Sequence, residues 1–339
     1  MTALNPSDLP YCAVWEMAVS SSFMSSFKQS VISLLFDLNG LIAGAIVVGN
    51  LGLVAATPWT IVIYPAIISM RGTIGGIFCG HYSTSLHLGN MKPGIRDNTE
   101  AFYTLLSSIF VLNLISCIGL WAAALPFLYL SGFEFLPPLM LLLTTTGLSF
   151  LIIAPISTMI ISFGYRRGLD PDVLAYPVES TIADLLITSC YVISLYFYFN
   201  FGVTAFFTIA VFDSLLFIVG MIFVVTKRRS SYFVKTVKES LLALALCSII
   251  VNVTGLILLN VSTAIEGAKE IFNVYPALID TVGDVGSIVG SILTTKLALG
   301  SLKASFRNFR AILPEIGGAW AGSAVMFVLF SLIASIFYH

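Results

Sequence analysis

The sequence predicts an all-α bundle of membrane-spanning helices, and composition is the first reason. Of the 339 residues, 58% are hydrophobic and 10% are charged, and the mean hydropathy is +0.99. A soluble fold of this composition would have too few polar side chains to cover its surface, since soluble domains carry about 25% charged residues. The apolar runs are continuous and lack the alternation of period two that a membrane β-barrel needs. We therefore expect a multi-pass membrane protein surrounded by lipid.

Nine apolar runs reach the length of about 20 residues that a helix needs to cross a bilayer. They cover approximately residues 29–50, 60–89, 102–130, 136–164, 177–199, 202–226, 240–260, 273–299 and 316–338. The preceding residues 1–28 contain Asp8 and Glu16 and lack a basic start, which argues against a signal peptide. They are expected to lie in the cytoplasm or along the membrane surface, with Trp15 and Phe23 as interfacial anchors.

The basic residues of the loops fall on one side of the predicted bundle, except for Lys269 between Glu266 and Glu270. They follow the second, fourth, sixth and eighth spans, at Lys92, Arg96, Arg166, Arg167, Lys227, Arg228, Arg229, Lys235, Lys238, Lys303, Arg307 and Arg310. By the positive-inside rule, these loops and the N-terminus are cytoplasmic, and nine spans place His339 outside the cell membrane. The whole chain has 16 basic and 17 acidic residues, so it has no basic field with which to bind nucleic acid.

An internal repeat links the two halves of the chain. Tyr64–Gly89 aligns without gaps with Tyr275–Gly300, 211 residues later (64 to 275), and both copies begin with Tyr-Pro-Ala and keep several glycines in register. Each copy follows a span that has Asn and Gly near its middle, at Asn39 and Gly40 in the first and at Asn252 and Gly255 in the second. The copies are an even number of spans apart and therefore run in the same direction. A parallel repeat with its axis along the membrane normal is predicted, with a pore between the halves.

Charged residues inside membrane spans are costly and therefore indicate function or pairing. The spans contain six acids and two bases, namely Asp37, Glu179, Asp184, Asp213, Asp280, Asp284, Arg71 and Lys296. This surplus of acid predicts that hydrated cations or protons bring the positive charge, and carboxylate and carbonyl oxygens suit Mg²⁺. Structural alternatives stay open: an ion pair for Arg71, a helix–helix hydrogen bond for Asp213, and a favourable helix-dipole position for Glu179. Asp280 and Asp284 are four residues apart and share a helix face.

Two stretches resemble one known family. The first is Pro65-Ala66-Ile67-Ile68 with Arg71-Gly72-Thr73, and the second is Gly168-Leu169-Asp170-Pro171-Asp172 with Pro177, Ser180 and Ala183-Asp184-Leu185. In this order and together with the repeat, they are similar to the pore helix and the fifth helix of the MgtE and solute-carrier 41 magnesium transporters. The resemblance covers roughly residues 29–338.

The resemblance implies both an architecture and a site. It implies a first five-span unit at residues 29–200, a linker span at 201–228, and a second unit at 229–339 that contains three spans. It also implies a cation pore lined by the second and fifth helices of each unit, with Asp184 binding the hydrated ion beside the carbonyl of Ser180. With the other acids in the spans, the predicted metal-binding set is Asp184, Ser180, Asp284, Gly283, Asp280, Thr73, Gly72, Glu179 and Asp37. On this interpretation, neutralising Asp184 is expected to abolish transport without unfolding the protein.

The sequence departs from the family pattern in ways that leave alternatives open. Thr73 and Asp284 stand where the family usually has Asn, so selectivity or coupling is expected to differ. The missing last two helices of the second unit leave three possibilities: a fragment, a homodimer or second subunit that completes the pore, or replacement of the missing acid by Asp280 and Asp284.

The expected function is transport of divalent cations, chiefly Mg²⁺, with Na⁺ or H⁺ as a possible coupling ion and no enzyme activity. The alternative is a proton- or sodium-coupled carrier of another cation or a small organic solute. An intramembrane aspartyl protease is disfavoured, because Val282-Gly283-Asp284 has no second Asp motif with which to share a proton. A zinc or copper site is disfavoured because His81 and His87 lack a third ligand.

Overall fold

The computed structural model describes residues 11–130, 132–167, 171–264, 269–298, 302, 303, 310 and 312–338. It is 91% helix and has no strand in these residues, which confirms the predicted all-α class. After α1 (Tyr11–Leu34) and a 3₁₀ turn (Leu35–Asn39), the helices are α2 (Gly40–Gly49), α3 (Leu51–Val54), α4 (Pro58–His87), α5 (Glu100–Leu130), α6 (Leu136–Arg166), α7 (Pro171–Lys227), α8 (Ser231–Ala264), α9 (Lys269–Ala298) and α10 (Leu313–Tyr338).

Seven helical segments of the described chain are long and apolar enough to cross a membrane. They are Ser22–Gly49, Pro58–His87, Glu100–Leu130, Leu136–Arg166, Glu179–Lys227, Ser231–Ser262 and Leu313–Phe337. The fifth segment breaks at Gly202, whose φ of 51° and ψ of −123° lie in a region that glycine alone occupies readily. This break falls at the first residue of the predicted sixth span, 202–226. The α9 helix is not among the seven, and the count of nine spans stays a prediction.

The chain divides into two compact units, of which residues 39–279, here called the core unit, form the larger. Its central helix is α4, which packs against α5, α6, α7 and α8 and has most of its side chains buried. Pro58 stands in the first turn of α4, where no intrahelical donor is lost. Tyr64 stacks on Tyr191 with ring centroids 5.5 Å apart, and the Tyr191 hydroxyl donates to the Thr60 carbonyl at 2.6 Å. These contacts fix the register of α4 against α7.

Two glycines of the core unit allow very close approach of helix backbones. A Cβ on Gly44 would lie 1.8 Å from the carbonyl oxygen of Asn273, and one on Gly255 would lie 2.3 Å from that of Val62. Gly255 is the repeat equivalent of Gly44, and Asn273 is the repeat equivalent of Val62, because both pairs differ by 211 (44 to 255 and 62 to 273). Such a reciprocal relation is what a two-fold axis between equivalent elements produces. It supports the predicted parallel repeat.

Three of the basic loops lie at the same end of the core unit. Arg166 donates to the Pro93 carbonyl at 2.7 Å, which joins the loops after α4 and α6. Lys227 pairs with Glu100 at 3.2 Å, which joins the end of α7 to the start of α5. This arrangement supports the prediction that the basic loops lie on one side of the membrane. The orientation of the chain stays a prediction.

The second unit comprises the described parts of residues 1–38 and 280–339 and is called the terminal unit. In it α1 packs on α10, where a Cβ on Gly318 would lie 2.4 Å from the carbonyl oxygen of Phe23. Ser26 donates to the carbonyl of Glu315 at 2.8 Å. The α1 helix continues through residue 28 without a break, so no helix end marks the predicted start of the first span. The predicted division into domains stays a prediction.

Candidate cation site

A buried cluster of charged side chains lies where α4 meets α7 in the core unit. Arg71 comes from the middle of α4, and Glu179, Ser180 and Asp184 come from α7. The side chains of Arg71, Glu179 and Asp184 are 6%, 2% and 1% exposed. Charges are rarely buried to this extent unless they are paired or functional.

The guanidinium of Arg71 holds the cluster together. Its Nη2 donates to Oδ1 of Asp184 and, at 3.2 Å, to Oγ of Ser180. Ser180 and Asp184 are one turn apart on α7 and therefore present their oxygens on the same face. Nη1 of Arg71 lies 3.7 Å from Oε2 of Glu179. A planar guanidinium can bind both acids because its donors point in several directions.

The cluster has more acid than base. One permanent positive charge meets two carboxylates, and taking such charges out of water costs several kcal/mol per ion unless other groups compensate it. Oε1 of Glu179 accepts a hydrogen bond from Ser157 of α6 at 2.8 Å. Oδ2 of Asp184 has no hydrogen-bond partner among the described residues. This oxygen is therefore an available ligand for a hydrated cation.

A cavity of about 50 Å³ adjoins the cluster on the side of Glu179. It has room for a small group of water molecules. Its polar lining comes from α4, α5, α6 and α7, with Arg71, Asn113, Thr146, Ser149, Ser157 and Glu179. Nδ2 of Asn113 has no hydrogen-bond partner in the described part of the chain, as expected if water completes the site. Gly75 also lines the cavity, and a Cβ there would lie in van der Waals contact with Oε2 of Glu179, at 3.4 Å.

The structure brings together three residues of the predicted metal-binding set, Glu179, Ser180 and Asp184. The hydroxyl of Thr73 donates to the Ser69 carbonyl at 3.0 Å and lies 3.6 Å from Cys247 Sγ of α8, and its part in the site stays a prediction. Gly72 has open space where a Cβ would stand. Arg71 lies outside the predicted set, and the ion pair that the sequence left open for it is observed. The signal was a base within an apolar span, where an unpaired charge is costly.

The remaining predicted residues lie in the terminal unit. Asp37 is buried and accepts a hydrogen bond from Thr281 Oγ1 at 2.7 Å. Asp284 is buried, Asp280 is half-buried, and Gly283 is exposed. The predicted convergence of Gly283 and Asp284 with Asp184 stays a prediction.

Other elements of the sequence analysis have different outcomes. Residues 168–170 of the Asp-Pro-Asp stretch lie outside the described residues, as do the side chains of residues 171–178. Asp213 accepts a hydrogen bond from Thr144 at 2.8 Å, which is the helix–helix hydrogen bond considered for it.

The described residues contain no group of three His, Cys, Asp or Glu side chains placed to hold a metal. A hydrated Mg²⁺ needs fewer direct protein ligands, because it keeps several of its waters.

Comparison with known proteins gives one match. Residues 64–194 match the family model described as MgtE, divalent cation transporter. This segment contains the four residues of the cluster. No curated protein and no solved structure matches the chain. MgtE is a transporter family rather than an enzyme family, and its name suggests transport of divalent cations. The resemblance to MgtE transporters is therefore confirmed over residues 64–194.

Proposed function

We propose that the protein transports divalent metal cations, with Mg²⁺ as the principal cargo, along a path that passes Asp184. The observation that carries this proposal is the buried cluster of Arg71, Glu179, Ser180 and Asp184 inside the segment that matches MgtE. A membrane segment that buries two carboxylates against one base has acidic oxygen left over for a cation. Oδ2 of Asp184, which lacks a hydrogen-bond partner among the described residues, is the oxygen that the ion approaches.

The chemistry of the cluster favours Mg²⁺ over softer metals. Its ligands are carboxylate and hydroxyl oxygens, which hard cations prefer, whereas zinc and copper prefer nitrogen and sulfur. Asp184 holds the ion through the ion's own water molecules, so one charged oxygen and the neighbouring Ser180 suffice. This mode of binding also supports passage, because an ion that keeps its water leaves more easily than one that is fully coordinated.

The proposal includes a pore between two parallel repeats. In it, the second and fifth helices line the path, and Gly72, Thr73, Asp280, Gly283, Asp284 and Asp37 contribute from the two halves. The reciprocal contacts of Gly44 and Gly255 support a two-fold relation between the halves. The shared end of the basic loops supports a cytoplasmic N-terminus in the cell membrane. A homodimer or a second subunit that completes the pore belongs to the same proposal, and the mass of the purified complex tests it.

Reconstituted liposomes provide the test. Uptake of Mg²⁺, Mn²⁺ and Co²⁺ is measured with and without a Na⁺ or a proton gradient, and empty liposomes serve as the blank. Wild-type protein is expected to take up Mg²⁺ and Asp184→Asn to lose this uptake. Asp213→Asn is the matched control, since Asp213 is a buried acid of α7 beyond the break at Gly202 and accepts a hydrogen bond from Thr144. Normal Mg²⁺ uptake by Asp184→Asn would overturn the path past Asp184. A wild-type protein that moves no divalent ion would overturn the function.

A further inference from the structure

We infer that Arg71 is the charge filter of the cluster: its guanidinium occupies the cation position beside Asp184, and only a divalent ion displaces it. This inference rests on the transport proposed above and adds a residue that determines selectivity. It starts from the contacts of Arg71 with Asp184, Ser180 and Glu179, which are those that a bound cation would make.

The guanidinium is suited to act as a tethered cation. Arginine stays protonated in proteins, so its charge does not depend on the state of the transport cycle. Its side chain is 6% exposed, and water therefore screens its attraction to Asp184 only weakly. An ion that approaches Asp184 must compete with this resident charge. The competition decides which ions bind.

A divalent ion wins this competition for an electrostatic reason. At a given distance its attraction to a carboxylate is twice that of a monovalent ion. A monovalent ion brings no more charge than the guanidinium it replaces, and it also forfeits the hydrogen bonds of Arg71 to Asp184 and Ser180. A divalent ion offsets that loss with its second charge. Discrimination between Mg²⁺ and Na⁺ then follows from charge rather than from the width of the pore.

The structure contains a place for the displaced guanidinium. Arg71 and Glu179 both line the cavity of about 50 Å³, and Asn113, Thr146 and Ser149 offer it polar groups. Nη1 already lies 3.7 Å from Oε2 of Glu179, so the guanidinium keeps one acid as its partner when it leaves the other. A buried cation without any partner would be strongly destabilising. Glu179 therefore holds Arg71 while the ion binds Asp184.

Substitution of Arg71 tests the inference in two measurements. In liposomes held at constant ionic strength with choline, Na⁺ is titrated against Mg²⁺ uptake by wild type, Arg71→Lys and Arg71→Gln. For Arg71→Gln, the Na⁺ concentration that halves uptake is expected to fall about tenfold, which corresponds to about 1.4 kcal/mol. Arg71→Lys keeps the charge and is expected to keep most of the discrimination. In parallel, the Mg²⁺ concentration that half-saturates thermal stabilisation is expected to fall in Arg71→Gln, because its competitor is gone.

A double variant provides the same test if Arg71→Gln does not fold. Arg71→Gln with Glu179→Gln removes one charge of each sign, and Asp184 keeps its carboxylate. If the single variant does not fold, the same shifts are expected in the double variant. The charge filter is overturned if a folded variant shows the wild-type Na⁺ competition and the wild-type Mg²⁺ concentration for half-maximal thermal stabilisation. That result leaves the transport proposal standing. The transport proposal is overturned if wild-type protein takes up no divalent ion. If the Mg²⁺ concentration for half-maximal thermal stabilisation is still lower in Arg71→Gln, competition between Arg71 and Mg²⁺ is supported.

Discussion

Arg71 and Asp184, 113 residues apart in the chain, form a buried ion pair between α4 and α7. Among the described residues each is the other's nearest opposite charge, and both side chains are almost fully buried. A change to either residue therefore alters both the affinity for a cation and the free energy of unfolding. The sequence alone predicted that neutralising Asp184 leaves stability unchanged, and the ion pair leads to a different expectation.

Asp184→Asn is expected to lose Mg²⁺ uptake and to lower stability as well. Removal of one partner of a buried pair costs up to about 3–5 kcal/mol, because the other charge is left without compensation. Glu179, 3.7 Å from Arg71, limits this loss. The measurement is thermal unfolding in detergent beside uptake in liposomes. Adding Arg71→Gln to Asp184→Asn is expected to restore most of the stability and none of the uptake. A double variant as unstable as the single one would contradict the pairing.

Gly75→Leu is expected to reduce Mg²⁺ uptake by filling the cavity beside the cluster. Even a Cβ at Gly75 would lie 3.4 Å from Oε2 of Glu179 and 3.8 Å from Nη1 of Arg71, so a larger side chain must move both groups. Gly80→Leu is the control, because Gly80 lies on the same helix and has open space where a Cβ would stand. Uptake is measured for both variants at equal protein density. Equal uptake by the two variants would show that the cavity has no part in transport.

Gly44→Ala is expected to destabilise the core unit. Its Cβ would overlap the backbone of Asn273, and overpacking of this kind costs about 1–3 kcal/mol. Gly255→Ala is expected to have a similar effect, since Gly255 makes the equivalent contact with Val62. Gly49→Ala on α2 meets nothing within 4 Å and is expected to be neutral or slightly stabilising. Thermal unfolding of the three variants in one detergent ranks them. A Gly44→Ala variant as stable as Gly49→Ala would argue against the close contact.

Thr281→Val is expected to lower the stability of the terminal unit. Its hydroxyl donates to the buried carboxylate of Asp37 at 2.7 Å, and a hydrogen bond to a charged group contributes about 1.5–3 kcal/mol. Thr254→Val is the control, because within the described part of the chain that hydroxyl bonds only to the Ile250 carbonyl, one turn back on its own helix. Protease resistance of α10 reports the stability of this unit. If both variants resist the protease equally, the Asp37–Thr281 hydrogen bond does not stabilise the terminal unit.

Much of the fold could be predicted because lipid imposes strong rules on sequence. Long apolar runs gave the positions of α4, α5, α6 and α8, and the repeat offset of 211 relates the bounds of α4, residues 58–87, to those of α9, residues 269–298. The break at Gly202 falls at the predicted start of the sixth span. Excess acid in the spans, with the resemblance, selected Glu179, Ser180 and Asp184. These predictions rest on hydrophobicity, length and charge, which the sequence states directly.

The partners of these residues could not be predicted in the same way. A helix buried in lipid and protein is apolar on all sides, so its periodicity does not say which face meets which neighbour. For this reason the contact of the Thr73 hydroxyl with Cys247 of α8, at 3.6 Å, could not be predicted. For the same reason the sequence left several acids open as partners of Arg71. The rotation of each helix about its own axis depends on packing contacts such as those of Gly44 and Gly255.

The reciprocal glycine contacts also set an order of events during synthesis of the chain. The ribosome makes Gly44 early, yet the backbone it packs against, at Asn273, follows only after α3 to α8 have entered the membrane. At about 5–20 residues per second this delay is roughly 10 to 50 s. Throughout that interval the small-residue face of α2 is open to other helices in the membrane. Lipid or another helix contacts this face until the second half of the protein arrives.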